Sequence, residues 1–206
     1  RGKDEKIFII GQNKTGTTSI EACLRDLGYI IGNQAKGELF IDDYQEGNFK
    51  NILFFCDSAE VFQDAPFSWP QTYKYLYSKY PNAKYILLER KNSEVWFNSV
   101  VNFHKKIINN GNDITVDDVK KFDYCRKGWL WQYLKFNYGI DESTLYDKKI
   151  FISNYEKYNK EVKTFFGDQE NFLSIKLTDN DVLEKLARFL ARNEDDIVIP
   201  HLNRSK

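Results

Sequence analysis

Short apolar runs alternate with amphipathic stretches of three-to-four spacing along most of the chain. The first run, Lys6-Ile-Phe-Ile-Ile10, predicts a buried strand that enters a polar, glycine-containing turn. Residues 17–27 then carry Ile20, Cys23, Leu24 and Leu27 on one helical face, and Gly28 stops the helix. Residues 32–51 are mixed and polar, which predicts short helices and loops. The run 52–56 fits either a strand or a helix, and the segment 59–63 leads into Asp64-Ala-Pro66. An aromatic helix is expected over 67–80, ended by Pro81, and the clearest strand after the first over 84–89. Residues 93–109 place Trp96, Val100, Phe103 and Ile107 on one face, and a second long helix is expected over 116–137. Residues 149–152 could be a strand or a helix start. A helix over 155–166, a strand over 171–176 and a last helix over 181–191 complete the pattern. Strands that alternate with helices predict an α/β fold, a three-layer sandwich around a central parallel sheet. One domain over 1–206 is expected, with a mainly helical segment at about 93–140.

Composition narrows the class. Apolar residues are 42% of the 206 and aromatics 16%, too much core-forming material for a disordered chain. Thirty Lys+Arg balance thirty Asp+Glu, so the basic excess of a general nucleic-acid binder is missing, although a local basic pocket is allowed. No run approaches the roughly 18 apolar residues of a membrane span, and residues 1–6 hold no signal-peptide core. Cys23, Cys56 and Cys125 are odd in number and far apart, matching neither a zinc motif nor a disulfide framework. A reduced, cytoplasmic protein is expected. The sequence contains no Met, which predicts a trimmed or processed front.

The strand-to-helix turn carries the chemistry. Gly11-Gln-Asn-Lys-Thr-Gly16-Thr-Thr18 has two glycines at P-loop spacing, where turn and helix N–H groups converge on an anion. A nucleotide-hydrolysing P-loop needs Lys directly after the second glycine, then Ser or Thr on magnesium. Here that position is Thr17, and the lysine is Lys14, two residues before Gly16. A plain Gly-bearing turn with a Thr cap is the bland alternative.

The string Lys14-Thr-Gly-Thr-Thr18, directly after an apolar strand, resembles the 5′-phosphosulfate loop of the sulfotransferase superfamily. Further likenesses follow in order. Tyr85-Ile-Leu-Leu-Glu-Arg90 followed by Trp96-Phe-Asn-Ser99 resembles the 3′-phosphate signature of the bacterial-type branch. Ser99 stands nine residues after Arg90 where the family usually has eight; either Lys91 restores the usual spacing or a one-residue expansion of the loop accommodates Arg90. Gln63-Asp-Ala-Pro66 places Asp64 where cytosolic members have a catalytic His, and Pro200-His-Leu-Asn-Arg204 resembles the branch's ending. The resemblance implies a phosphosulfate-binding fold and 3′-phosphoadenylyl sulfate (PAPS) as donor, with adenosine 3′,5′-bisphosphate as product and no metal in transfer. It implies donor contacts from Asn13, Lys14, Thr15, Gly16, Thr17, Thr18, Arg90, Ser99 and Arg204, and catalysis by Lys14 and Asp64.

Sulfuryl transfer needs positioning and charge stabilisation more than covalent help. Lys14 can reach the bridging oxygen that gains charge, and Asp64 can take the acceptor's proton if desolvation raises its pKa. The resemblance implies an acceptor hydroxyl or amine on a small molecule, glycan or lipid. The sequence leaves its identity and the oligomeric state open. Arg90 could instead pair with Glu89 or Glu94, Ser99 could face its own helix, and Asp64 could brace the turn. His104 and His201 read as structural, and Trp129, Trp131 and Tyr133 as core or acceptor-pocket wall. A variant kinase is a competing reading, with Asp57 after the apolar run 52–56 as its magnesium carboxylate. A non-catalytic nucleotide binder is another, hinted at by the Arg90-to-Ser99 spacing.

Overall fold

The computed structural model describes residues 5–200. The chain divides into two compact units, one running through Lys91 and resuming at Asn159, the other Asn92–Tyr158. In the first, β1 (Ile7–Ile9) leads to α1 (Thr17–Asp26), then to the short helices α2 (Gln34–Glu38), α3 (Ile41–Gln45) and α4 (Phe49–Phe55). β2 (Val61–Gln63), α5 (Thr72–Lys79) and β3 (Lys84–Glu89) follow. The second unit holds α6 (Ser93–Asn109), α7 (Val116–Lys121) and α8 (Trp129–Tyr138), and the boundary at Asn159 falls within α9 (Lys148–Phe166). β4 (Phe172–Lys176) and α10 (Val182–Leu190) return to the first unit.

The four strands form one parallel sheet in the order β2-β1-β3-β4. Ile9 stands opposite Gln63 on one side and Ile86 on the other, and Glu89 opposite Lys176. The chain goes from β1 to β2 on one flank, then crosses to β3 on the other. That reversal marks the carboxyl ends of β1 and β3 as the position where parallel sheets bind ligands.

β1 has only three residues, so packing on both faces holds it more than its ladder does. Ile7 and Ile9 join Ile20, Leu24, Leu88, Leu186 and Leu190 in one apolar cluster beneath α1 and α10. Phe8 alternates to the opposite face, 5.9 Å from Phe62, 6.0 Å from Phe67 and 5.5 Å from Tyr85, and Tyr85 lies 4.8 Å from Phe166. Each such buried side chain contributes roughly 1.5–3 kcal/mol. Helices on both sheet faces make the α/β layering expected from the sequence.

Two open readings are settled and two expectations change in detail. The run 52–56 joins α4 and a 3₁₀ turn rather than a strand. The helix expected over 67–80 begins only at Thr72, because Pro70 disfavours helical backbone at Trp69 and Gln71 turns left-handed at φ 68°. The helix expected over 116–137 is two helices, separated at Gly128, whose φ of 77° suits the left-handed start of α8. The ambiguous 149–152 run lies inside α9.

In the second unit Trp96 stacks on Tyr155 at 4.2 Å and Tyr138 on Phe151 at 4.3 Å. His104 is buried, its Nδ1 2.9 Å from the Tyr146 hydroxyl, so it serves packing as expected. Trp129 and Tyr133 are core residues, while Trp131 lies under the Lys120 ammonium at 5.2 Å. Among the described residues no helix is long and apolar enough to cross a membrane.

Candidate active site

The turn after β1 is shaped by two glycines with different jobs. At Gly11 an added Cβ would stand 2.6 Å from both the backbone N and O of Leu88, so the loop leaves the sheet in direct contact with β3. Gly16 has φ 107°, open to glycine, and a Cβ there would collide with Leu177 Cδ1 beyond β4. Between them Lys14 also adopts left-handed backbone, φ 63°, at a cost of about 1–2 kcal/mol for a residue with a Cβ. The Thr15 hydroxyl donates to the Gln12 carbonyl at 2.6 Å and closes the loop on itself.

Gly16, not a threonine, is the N-cap of α1, and no side chain caps the helix. The Ser19 and Ile20 N–H groups donate to the Gly16 carbonyl at 3.0 and 3.3 Å. The earlier N–H groups, at Thr17 and Thr18, have no acceptor within the helix, and they stand at its positive end. Thr17 is buried and Thr18 exposed. The Thr cap of the bland alternative is absent, and the open N–H groups of a helix start are of the kind that can accept an anion.

Arg90 follows β3, and its Nε donates to the Lys14 carbonyl at 2.6 Å. The acidic residues near it in sequence have other partners. Glu89 takes Lys163 at 2.6 Å and the Ser174 hydroxyl at 3.0 Å, and Glu94 takes Lys148. Lys91 is exposed, its carbonyl 3.4 Å from Lys176 Nζ. Asn13 is half-buried within the loop. Ser99 is half-buried on α6 in the second unit. Arg204 and His201 lie outside the described residues.

Asp64 directly follows β2 with φ 54°, before a cis Ala65–Pro66 bond. Its carboxyl is pushed up to about 6, first by burial and next by the charge of Glu38. The Ala65 N–H, the Lys14 charge and the Ser68 hydroxyl oppose that rise. Glu38 reaches this neighbourhood because α2 presses on the turn. Gln34 Nε2 donates to the Ala65 carbonyl at 3.1 Å, and a Cβ on Gly37 would stand 2.7 Å from the same oxygen. The fold therefore brings Lys14, Arg90 and Asp64 into one electrostatic neighbourhood at the carboxyl end of the sheet.

Sequence reading missed Glu38, because nothing in the polar stretch 32–51 tells which residues face the turn. It also missed Gln63, 8% exposed at the end of β2, whose Nε2 donates to Glu21 Oε2 at 2.9 Å and ties that strand to α1. A Gln ending an otherwise apolar strand was the available signal. Asp57, the carboxylate of the kinase reading, lies on the 3₁₀ turn after α4 and not at a strand end. It accepts from the Tyr80 hydroxyl at 2.9 Å and Lys79 at 3.3 Å. Among the described residues no three His, Cys, Asp or Glu side chains come together as a metal-ligand set.

A family model described as "Sulfotransferase domain" matches residues 6–206, running through both units. No curated protein matches the chain.

Proposed function

The chain belongs to the sulfotransferase domain family, and from that premise we propose that it moves a sulfuryl group from PAPS to an acceptor hydroxyl or amine without a metal. The observation that carries the donor assignment is the uncapped start of α1, fed by a loop whose glycines leave no room for side chains. A highly anionic nucleotide fits that cradle: it needs N–H donors and cations, and the loop offers the helix end, Lys14 and nearby Arg90.

In this reading Asn13, Thr15, Gly16, Thr17 and Thr18 hold the 5′-phosphosulfate, while Arg90 and Arg204 serve the 3′-phosphate end. PAPS supplies an activated sulfuryl group on a phosphate leaving group. The Lys14 ammonium stabilises the negative charge that grows on the bridging oxygen. Asp64 accepts the acceptor's proton, and its raised pKa makes it a stronger base than an ordinary aspartate while leaving it ionised at pH 7. The acceptor is a small-molecule, glycan or lipid hydroxyl. Three cysteines, odd in number and far apart in sequence, fit a reducing, cytoplasmic setting.

The decisive measurement is thermal stability with nucleotides. Adenosine 3′,5′-bisphosphate at 100 times its Kd, without magnesium, should stabilise the fold by about 2.7 kcal/mol. For a chain of this size that is a Tm rise of roughly 5–10 °C. A rise with ATP and magnesium, and none with the bisphosphate, would overturn the donor assignment and favour the kinase reading.

A further inference from the structure

We propose that Arg90 is a positioning residue that latches the peptide between Lys14 and Thr15, so that the loop is set for an anion before one arrives. Three observations meet there. The Arg90 Nε–H donates to the Lys14 carbonyl at 2.6 Å, a charge-assisted bond across the end of the sheet. Lys14 holds φ 63°, a conformation a side chain resists and which persists only where the surroundings impose it. The other fixed points of the loop act elsewhere: Thr15 Oγ1 bonds the Gln12 carbonyl, and Gly16 rests against Leu177 with no need of restraint at φ 107°.

Peptide geometry turns the contact into a device. The unit joining Lys14 to Thr15 is planar and trans, so its C=O and N–H point in opposite directions. Fixing the Lys14 oxygen on the guanidinium fixes the Thr15 N–H the other way. Without the guanidinium the plane can turn over, exchanging an N–H for a carbonyl oxygen that repels an anion. Arg90 sits on rigid ground for the purpose, immediately after a strand paired on both sides. The neighbouring Glu89 is held by Lys163 and Ser174.

The nucleotide arm of the test rests on the donor assignment proposed above, and the exchange arm does not. Amide hydrogen exchange is measured on the ligand-free wild type, Arg90→Lys and Arg90→Gln. Both variants should exchange about tenfold or more faster at the Ser19 and Ile20 amides, which bond the Gly16 carbonyl of the loop, with β3 amides such as Ile86 and Leu88 unchanged. Lys keeps the charge but lacks the Nε–H at that point, so it tests the latch even if Arg90→Gln folds poorly. Affinities for AMP and for adenosine 3′,5′-bisphosphate are then compared, since only the second carries a 3′-phosphate. The latch predicts that AMP binding falls about tenfold in both variants. An unchanged AMP affinity with a loss confined to the bisphosphate would make Arg90 a phosphate ligand only and overturn the proposal. Unchanged loop exchange, or exchange that rises equally through β1 and β3, would overturn it as well. A wild type that binds neither nucleotide would sink the donor assignment and leave exchange to decide on Arg90.

Discussion

Asp64 is a carboxylic acid in left-handed backbone with a second carboxylate for a neighbour, and both facts can be read by titration. Its pKa of about 6 predicts an acid limb in turnover, with the rate falling about tenfold per pH unit below that value. The stability effect has the opposite sense. The folded protein keeps a proton on Asp64 up to about pH 6 that the unfolded chain releases near 4, so stability falls as pH rises through that window. Asp64→Asn should remove this slope and gain up to about 3 kcal/mol at pH 7, since Asn tolerates a φ of 54°. It should also cost about 10²–10⁴ in turnover, with bisphosphate affinity kept. A variant less stable at pH 7 but still active would make Asp64 a structural brace. Lys14→Ala should lose about 10²–10³ in turnover, with bisphosphate affinity altered less than about tenfold, and near-full activity would rule out its assigned role. Lys14 was legible because its motif is contiguous. Glu38 was not, because its influence on Asp64 comes only through the docking of α2.

At the scale of elements, the phosphate loop depends on two close approaches that differ in kind. Gly11 meets backbone, which cannot move aside, whereas Gly16 meets the flexible end of Leu177. Gly11→Ala should therefore destabilise by about 2–3 kcal/mol, lowering Tm by roughly 4–10 °C, and no single neighbouring truncation should repair it. Gly16→Ala suffers a steric and a conformational penalty together. Adding Leu177→Ala should recover the first and leave the second, so the pair should be non-additive in thermal melts. Strict additivity would mean that Leu177 does not bear on the loop. The sequence signalled β1, β3, β4 and α6 well, because each is strongly patterned over its length, but it left β2 unassigned and the first turns of α9 open between strand and helix. It failed where prolines and glycines act at a distance from the periodic signal. Pro70 and the left-handed Gln71 delay α5 within an aromatic run that otherwise reads as helix, and Gly128 stands between α7 and α8 although apolar spacing continues across it.

For the whole molecule, thirty cations against thirty anions leave no net field to draw in a nucleotide that carries several negative charges. The attraction must be made at contact, by Lys14, Arg90 and the start of α1, within distances shorter than the Debye length of about 8 Å at physiological salt. This neutrality was legible from composition, whereas the meeting of two cations at one turn was not, because Lys14 and Arg90 come together only through the adjacency of β1 and β3. A rate prediction separates contact attraction from long-range steering. Between about 0.05 and 0.5 M salt, bisphosphate association should change less than about threefold, since long-range steering is the part that salt removes. Neutralising Lys14 should act on dissociation instead, raising koff while leaving kon nearly unchanged. Stopped-flow binding of a fluorescent bisphosphate analogue reads both constants. A tenfold or greater fall in kon with salt would show that the donor is drawn in by a wider positive surface, and the contact account of this site would then fail.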